Sequence, residues 1–238
     1  MAHVHVLLNQ KGGVGKSTLT VNLAAVTAEV LGGGGDGDKP AVLAVSVDPQ
    51  GSTTWWSDRL GESLPFLFVQ ADDDVERLAQ LKNINSVQHI FVDTPGWLDV
   101  SSARGKKADP LGDGPAAKVL RAVLDAADDV IVPIEPEPLA FAPTAFTVNK
   151  VVKPRNLPCR VVINNWDPRD GETDLRDTQA FVRGNGWNMT NTVVRHYKVH
   201  TRAAADRTVV TQYPANRVSL QAREDFYKLA LELRLGAQ

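Results

Sequence analysis

One cysteine, Cys159, serves the whole 238-residue chain, so an intrachain disulfide is excluded and a cysteine-ligated iron–sulfur or zinc centre is argued against. No apolar run approaches the ~20 residues needed to cross a bilayer, and the N-terminus lacks a basic region followed by an apolar one. Without such segments the chain is expected to be cytoplasmic. No G-x-S-x-G elbow occurs, which removes support for a serine hydrolase. Internal repeats and an interdomain linker are missing too, and 238 residues suit one α/β domain, 1–238, with a substantial core. Net charge is low at −2, so the total points to no polyanionic partner. Its distribution does: residues 195–238 carry eight Lys/Arg against four Asp/Glu, and the remainder 18 against 24. Two readings of that bias stand, a surface facing a polyanion and ordinary solvation of helices.

What the chain does have is concentrated at residues 4–18. Val4 to Leu8 is an apolar run of strand length, and residues 17–31 carry apolar side chains at helical spacing. Between them stand Gly12, Gly13, Gly15, Lys16 and Ser17. Strand, glycine-rich loop and helix together bind polyphosphates, because backbone N–H groups can turn inward where a Cβ would obstruct them. Lys16 supplies a charge to the β/γ end, and the Ser17 hydroxyl is placed to ligate Mg²⁺. An ordinary P-loop would begin with glycine at position 10, where Gln10 stands, and Lys11 brings a second lysine instead.

Apolar runs at 4–8, 41–47, 66–69, 89–92, 129–134, 159–164 and 190–194 predict strands. Helices are predicted over 17–31, 73–82, 116–126, 143–152, 173–184, 199–205 and 218–234. This alternation predicts an α/β fold with a mostly parallel twisted sheet and helices on both faces, ligands binding at the carboxyl ends of the strands. Two further strand ends carry carboxylates. Val47-Asp48-Pro49-Gln50 places Asp48 where it could orient a water, although Asp-Pro-Gln-Gly is also a plain turn. Ile90-Phe91-Val92-Asp93 is a Walker B pattern, with Asp93 sharing the metal with Ser17. Residues 32–39 read as a solvent-exposed insert, and 97–115 as a polar loop without an assigned role.

Lys11-Gly12-Gly13-Val14-Gly15-Lys16-Ser17-Thr18 resembles, residue for residue, the deviant Walker A loop of the ParA/MinD ATPases. Asp48-Pro49-Gln50 resembles their switch segment, except that Ser46 stands where another aspartate is usual. The resemblance implies the deviant P-loop NTPase fold and a ParA-type partition ATPase of the short form, lacking an N-terminal helix-turn-helix domain. It implies ATP and Mg²⁺ as cofactors and a homodimer when ATP is bound. In that dimer Lys11 reaches the partner's nucleotide, while Lys16 and Asp48 serve their own site. Nucleotide contacts fall to residues Lys11 to Thr18, and Asn164 matches a position near the adenine, though asparagine is also an ordinary turn residue.

Further implied are non-specific double-stranded DNA and a ParB-type centromere-binding protein as partners, nucleoid association, and DNA contacts from Arg195, Lys198, Arg202, Arg223 and Lys228. The Pro-rich stretch 131–139 reads either as a rigid loop or as a dimer contact. A MinD-like membrane switch is the alternative, but the C-terminus lacks the bulky aromatics such a helix would insert, so no membrane partner is expected. A small-molecule kinase finds no acceptor pocket advertised. His3/His5 and His196/His200 are candidate metal pairs by spacing, without a companion acid nearby in sequence.

Overall fold

The computed structural model describes residues 1–32, 40–49, 64–71, 73–97, 109–206 and 208–235. The expected exposed insert, the switch residues from Gln50 onward and most of the 97–115 loop lie outside them. Seven strands form one sheet: β1 His3–Leu7, β2 Val42–Ser46, β3 Leu67–Gln70, β4 His89–Asp93, β5 Asp129–Ile134, β6 Cys159–Trp166 and β7 Val194–Arg195. Their order is β3-β2-β4-β1-β5-β6-β7, and every pairing is parallel. The order reverses at β1, which puts the loop after β1 in the crevice where doubly wound sheets bind ligands.

A parallel sheet covered on both faces requires strands that are apolar throughout, and Val42-Leu43-Ala44-Val45-Ser46 is buried at every position. Alternate residues feed two cores. Val4, Val6, Val45, Ile90, Val92 and Val132 pack on one face with α3 (Pro115–Asp125), α4 (Phe141–Phe146, continuing as a π-turn over Thr147–Val152) and α5 (Thr173–Gly184). Leu7, Ala44, Phe91, Ile131 and Val162 pack on the other with α1 (Lys16–Val30), α6 (Lys198–Ala205) and α7 (Arg217–Glu232). Helix α1 is buried over most of its circumference because α7 covers the face turned away from the sheet. A short turn, α2 (Val75–Leu78), follows β3.

Helical boundaries fall within two residues of the sequence expectation except at 73–82, which divides into α2 and a 3₁₀ turn at Leu81–Asn83. The strand expected over 190–194 is shorter, reaching only Val194–Arg195. Register shifts between Asn164 and Trp166 opposite β7, and Asn165 takes a φ of 66° in that bulge.

Helix α7 starts on a reciprocal cap. The Asn216 carboxamide oxygen accepts from Val218 N and Ser219 N, both at 3.0 Å, while Ser219 Oγ accepts from Asn216 N at 2.8 Å. Asn216→Ala is expected to lower unfolding free energy by about 1 kcal/mol in urea titration. An unchanged midpoint would show the cap to be idle.

Candidate nucleotide site

The loop between β1 and α1 is held from three sides. Asn9, fully buried, donates to the Pro133 carbonyl at 2.7 Å and to Thr144 Oγ1 at 2.9 Å, and its side-chain oxygen accepts from Lys11 N at 3.0 Å. Thr147 Oγ1, at the start of the π-turn, accepts from Gln10 N at 3.0 Å. On the Walker B side Thr94 donates to the Leu7 carbonyl at 2.6 Å, and Trp97 N donates to the Gln10 carbonyl at 3.1 Å. Gly96 lies so near that a Cβ there would sit 2.8 Å from the Gln10 carbonyl oxygen.

Gly15 is required twice over. Its φ is +85°, and a Cβ would lie 2.2 Å from Asn164 Nδ2. That amide instead donates to the Val14 carbonyl at 2.8 Å. The residue expected near the adenine therefore spends a donor on the phosphate loop, and Asn164 acts here as a brace. Gly12 and Gly13 have open space where a Cβ would project, so no neighbouring side chain crowds the loop there.

Lys16 is buried, its ammonium donating to the carbonyls of Lys11 at 3.1 Å and Asn9 at 3.2 Å. Burial lowers its pKa, opposed by the fields of Asp93 and Asp48. Both predicted carboxylates thus act on the lysine that would face the phosphates, although Asp48 lies after β2 and Asp93 ends β4. The strands bring them together: Ser46 is in register with Asp93, and Val47 N donates to the Asp93 carbonyl at 2.9 Å. Ser46 Oγ lies 3.4 Å from Asp48 N, so the hydroxyl in place of the family's second aspartate meets the switch backbone. Ser17 and Thr18 occupy the first turn of α1, where helix N-termini favour anions. One hydroxyl and two carboxylates around an open glycine cradle fit Mg²⁺ carried on a nucleotide.

Lys11 takes another direction. Its ammonium donates to Glu135 Oε2 at 3.0 Å and makes a very short contact with Glu137 Oε1, both just past β5. Burial works against the charge, but the hydrogen bonds to the two glutamates outweigh it and raise the pKa. Glu135-Pro136-Glu137 lies within the stretch read from sequence only as a rigid loop or dimer contact. The ion pair was not visible there, because its partners are 124 and 126 residues from Lys11.

Four of the five basic residues expected on DNA border two clefts that meet at Arg195. Arg195, Lys198 and Arg202 line one cleft of about 620 Å³ with Tyr197 and Tyr213. Lys198 and Arg202 are exposed there, whereas Arg195 is bound to Asp225, with Nη2–Oδ1 at 2.6 Å and Nε–Oδ2 at 2.9 Å. Arg223 donates to the Val210 carbonyl at 3.0 Å and to that of Tyr213, tying a loop down. Lys228 pairs with Glu224 at 2.7 Å, outside the cleft. The histidine pair at 196 and 200 is not helical, since α6 begins at Lys198; His196 contacts Asn165 Oδ1 and His200 donates to the Arg195 carbonyl. Cys159 is no reactive thiol, its pKa being pushed up to about 12 by burial.

A family profile described as the CobQ/CobB/MinD/ParA nucleotide binding domain matches residues 5–209. "Maintenance of carboxysome distribution protein A" of Gloeobacter kilaueensis is 33% identical over 231 residues, covering 97% of this chain and 93% of that protein. Among solved structures, an ATP complex of McdA from Cyanothece superposes with a TM-score of 0.68 at 10% identity, over 98% of this chain and 97% of that one. The septum site-determining protein MinD of Pyrococcus horikoshii, complexed with Mg-ADP, gives 0.65 at 19% identity, over 98% and 96%.

Gly15→Ala tests the cradle. Nucleotide affinity is expected to fall at least about tenfold by titration, since both φ and the Asn164 clash oppose the loop. Adding Asn164→Ala removes the clash alone and should restore only part of the loss. Full affinity in Gly15→Ala would refute the brace.

Proposed function

We propose, for a chain that belongs to the CobQ/CobB/MinD/ParA nucleotide-binding family and carries its ParA/MinD type of phosphate loop, an ATP-driven positioning switch that dimerises on ATP and grips DNA without reading sequence. The observation that carries this reading is the divergence of two lysines within one loop. Lys16 is buried inside its own cradle, whereas Lys11 lies outside it, on Glu135 and Glu137. A lysine directed away from its own cradle suits one meant for a second subunit's nucleotide.

Each residue then has a task. The loop N–H groups and Lys16 bind the phosphates, and Asp48 orients the attacking water. Mg²⁺, held through Ser17 and Asp93, supplies neutralisation of phosphate charge. Lys11 adds cationic stabilisation across the interface, which makes hydrolysis and dimerisation interdependent. Before it can do so it must leave two carboxylates, so the monomer opposes the dimer by that ion pair.

The partner surface is argued from charge. Lys198 and Arg202, with Tyr197 and Tyr213, form an exposed basic and aromatic cleft suited to phosphodiester backbones. DNA then serves as the track, and a ParB-type adaptor or a cargo protein stimulates turnover. The cargo is a plasmid, a chromosome or, as in the carboxysome protein's name, a protein body. No described helix is long and apolar enough to cross a membrane.

Three variants test the switch by nucleotide titration, ATPase rate and light-scattering mass with a non-hydrolysable analogue. Lys16→Ala should lose nucleotide binding. Lys11→Ala should keep it, remain monomeric and hydrolyse roughly 10²-fold more slowly or worse. Glu135→Gln with Glu137→Gln should raise the dimer fraction, because Lys11 is released. A Lys11→Ala protein that dimerises and hydrolyses like its parent rejects the reading.

The DNA surface has its own test. Lys198→Ala with Arg202→Ala should weaken binding equally for unrelated duplexes and reduce the log–log salt slope by about 1 to 2. Unchanged DNA affinity, or flotation of the parent with anionic vesicles in place of DNA binding, would move the track to another surface.

A further inference from the structure

The edge of the sheet opposite the phosphate loop gathers side chains that nucleotide chemistry does not use. His3 and His5 come from the start of β1, His89 from that of β4 and Asp129 from that of β5. Register aligns them, His3 beside His89 and His5 beside Asp129. A period of two puts His3 and His5 on one face. The acid missing from their sequence neighbourhood is supplied across the sheet, 124 residues from His5.

His3 Nε2 lies 2.7 Å from Asp129 Oδ2, and His5 Nδ1 lies 2.9 Å from the same oxygen. One ligand atom from each of the three residues falls within 4.8 Å of the others. They border a cleft of about 280 Å³ also lined by Asp128, Arg160 and Asn188. His5 is almost sealed, at 5% side-chain exposure, while His3 at 49% leaves a way in from solvent.

We propose that His3 Nε2, His5 Nδ1 and the Asp129 carboxylate form a site for a borderline-soft divalent ion of the zinc type, with water from the cleft completing its coordination. Two imidazoles and one carboxylate are a recurrent zinc donor set with an open position. The hydrogen-bond order around His5 supports it. His5 Nε2 is 3.0 Å from His89 Nδ1, a contact that needs one proton. If a neutral His5 is the donor, its Nδ1 presents a lone pair to a carboxylate, and either a second proton on that nitrogen or a cation between them resolves the conflict. A metal-bound histidine commonly donates its second nitrogen in this way. If His89 is the donor, the proton sits on His5 Nδ1 and no ion is needed. The two arrangements make opposite predictions for zinc.

Rigidity favours the first. All three ligands stand on strands, and the Phe91 ring packs against His5 with centroids 4.8 Å apart, fixing the imidazole plane. Mg²⁺ prefers octahedral oxygen ligands, so this edge would not draw the ion used at the other. A bound ion would tie β1 to β5 through side chains as well as through the backbone ladder.

The test uses the metal-free, untagged full chain, titrated calorimetrically with ZnCl₂ and with MgCl₂ and then melted. The expected result is one Zn²⁺ per chain, not displaced by excess Mg²⁺, with a higher Tm. His3→Ala, at the half-exposed ligand, and Asp129→Asn should each weaken Zn²⁺ at least about tenfold. Both should retain nucleotide binding, which shows that they are folded. His196→Ala should bind as the parent does. Absence of stoichiometric Zn²⁺ binding by the parent, or full Zn²⁺ affinity in both His3→Ala and Asp129→Asn, overturns the site and assigns the proton to His5 Nδ1.

Discussion

A buried carboxamide, that of Asn9, anchors the phosphate loop where it leaves β1. It has no solvent to satisfy it, so each unmade bond would cost roughly 1–3 kcal/mol. Its two donors and one oxygen find a β5 carbonyl, a hydroxyl of α4 and the Lys11 amide, which ties two elements to the first residues of the loop. Everything built on the loop inherits this anchoring. Gly15 reaches the left-handed region against Asn164, Lys16 is drawn onto the carbonyls of Asn9 and Lys11, and α1 begins directly after the loop.

Local features of this arrangement were legible in the sequence, and non-local ones were not. Strand, glycines, lysine and hydroxyl lie within fifteen consecutive residues, so spacing alone exposes the cradle. Asp93 was legible because an apolar strand ending in a carboxylate is a pattern in itself. Asn164 was placed near the site, but its role as a brace depends on a contact with a residue 150 positions away. The same limit hid the glutamates on Lys11 and the acid between His3 and His5. Parallel pairing requires long crossovers, which disperse the members of each cluster along the chain. Arg195 shows the same limit: the resemblance offered it to DNA, and its partner Asp225, two turns before the end of α7, lies 30 residues further along the chain.

Charge is partitioned by direction as well as by amount. Of the C-terminal cations, Arg195 and Lys228 face Asp225 and Glu224 and Arg223 donates to loop carbonyls, while Lys198 and Arg202 stand exposed in the cleft. The two ends of the strands also differ in kind. The carboxyl ends present lysines, carboxylates and backbone donors suited to hard ions and phosphate. The amino ends present imidazoles gathered around the Asp129 carboxylate. One sheet thus carries two different sets of side chains a strand's length apart.

The bulge at Asn165 gives Glu135 a second obligation. One oxygen of that carboxylate takes Lys11, and the other takes the Asn165 amide, whose own oxygen meets the His196 ring at the rim of the basic cleft. Glu135 is therefore shared by the phosphate loop and the bulge of β6. If Lys11 leaves for a second subunit's nucleotide as proposed, the carboxylate keeps its charge and loses that cation while the Asn165 amide, on the path toward His196, still donates to it. The loop that meets phosphate and the cleft that carries the cations are neighbours by two side chains, although nearly the whole chain separates them in sequence.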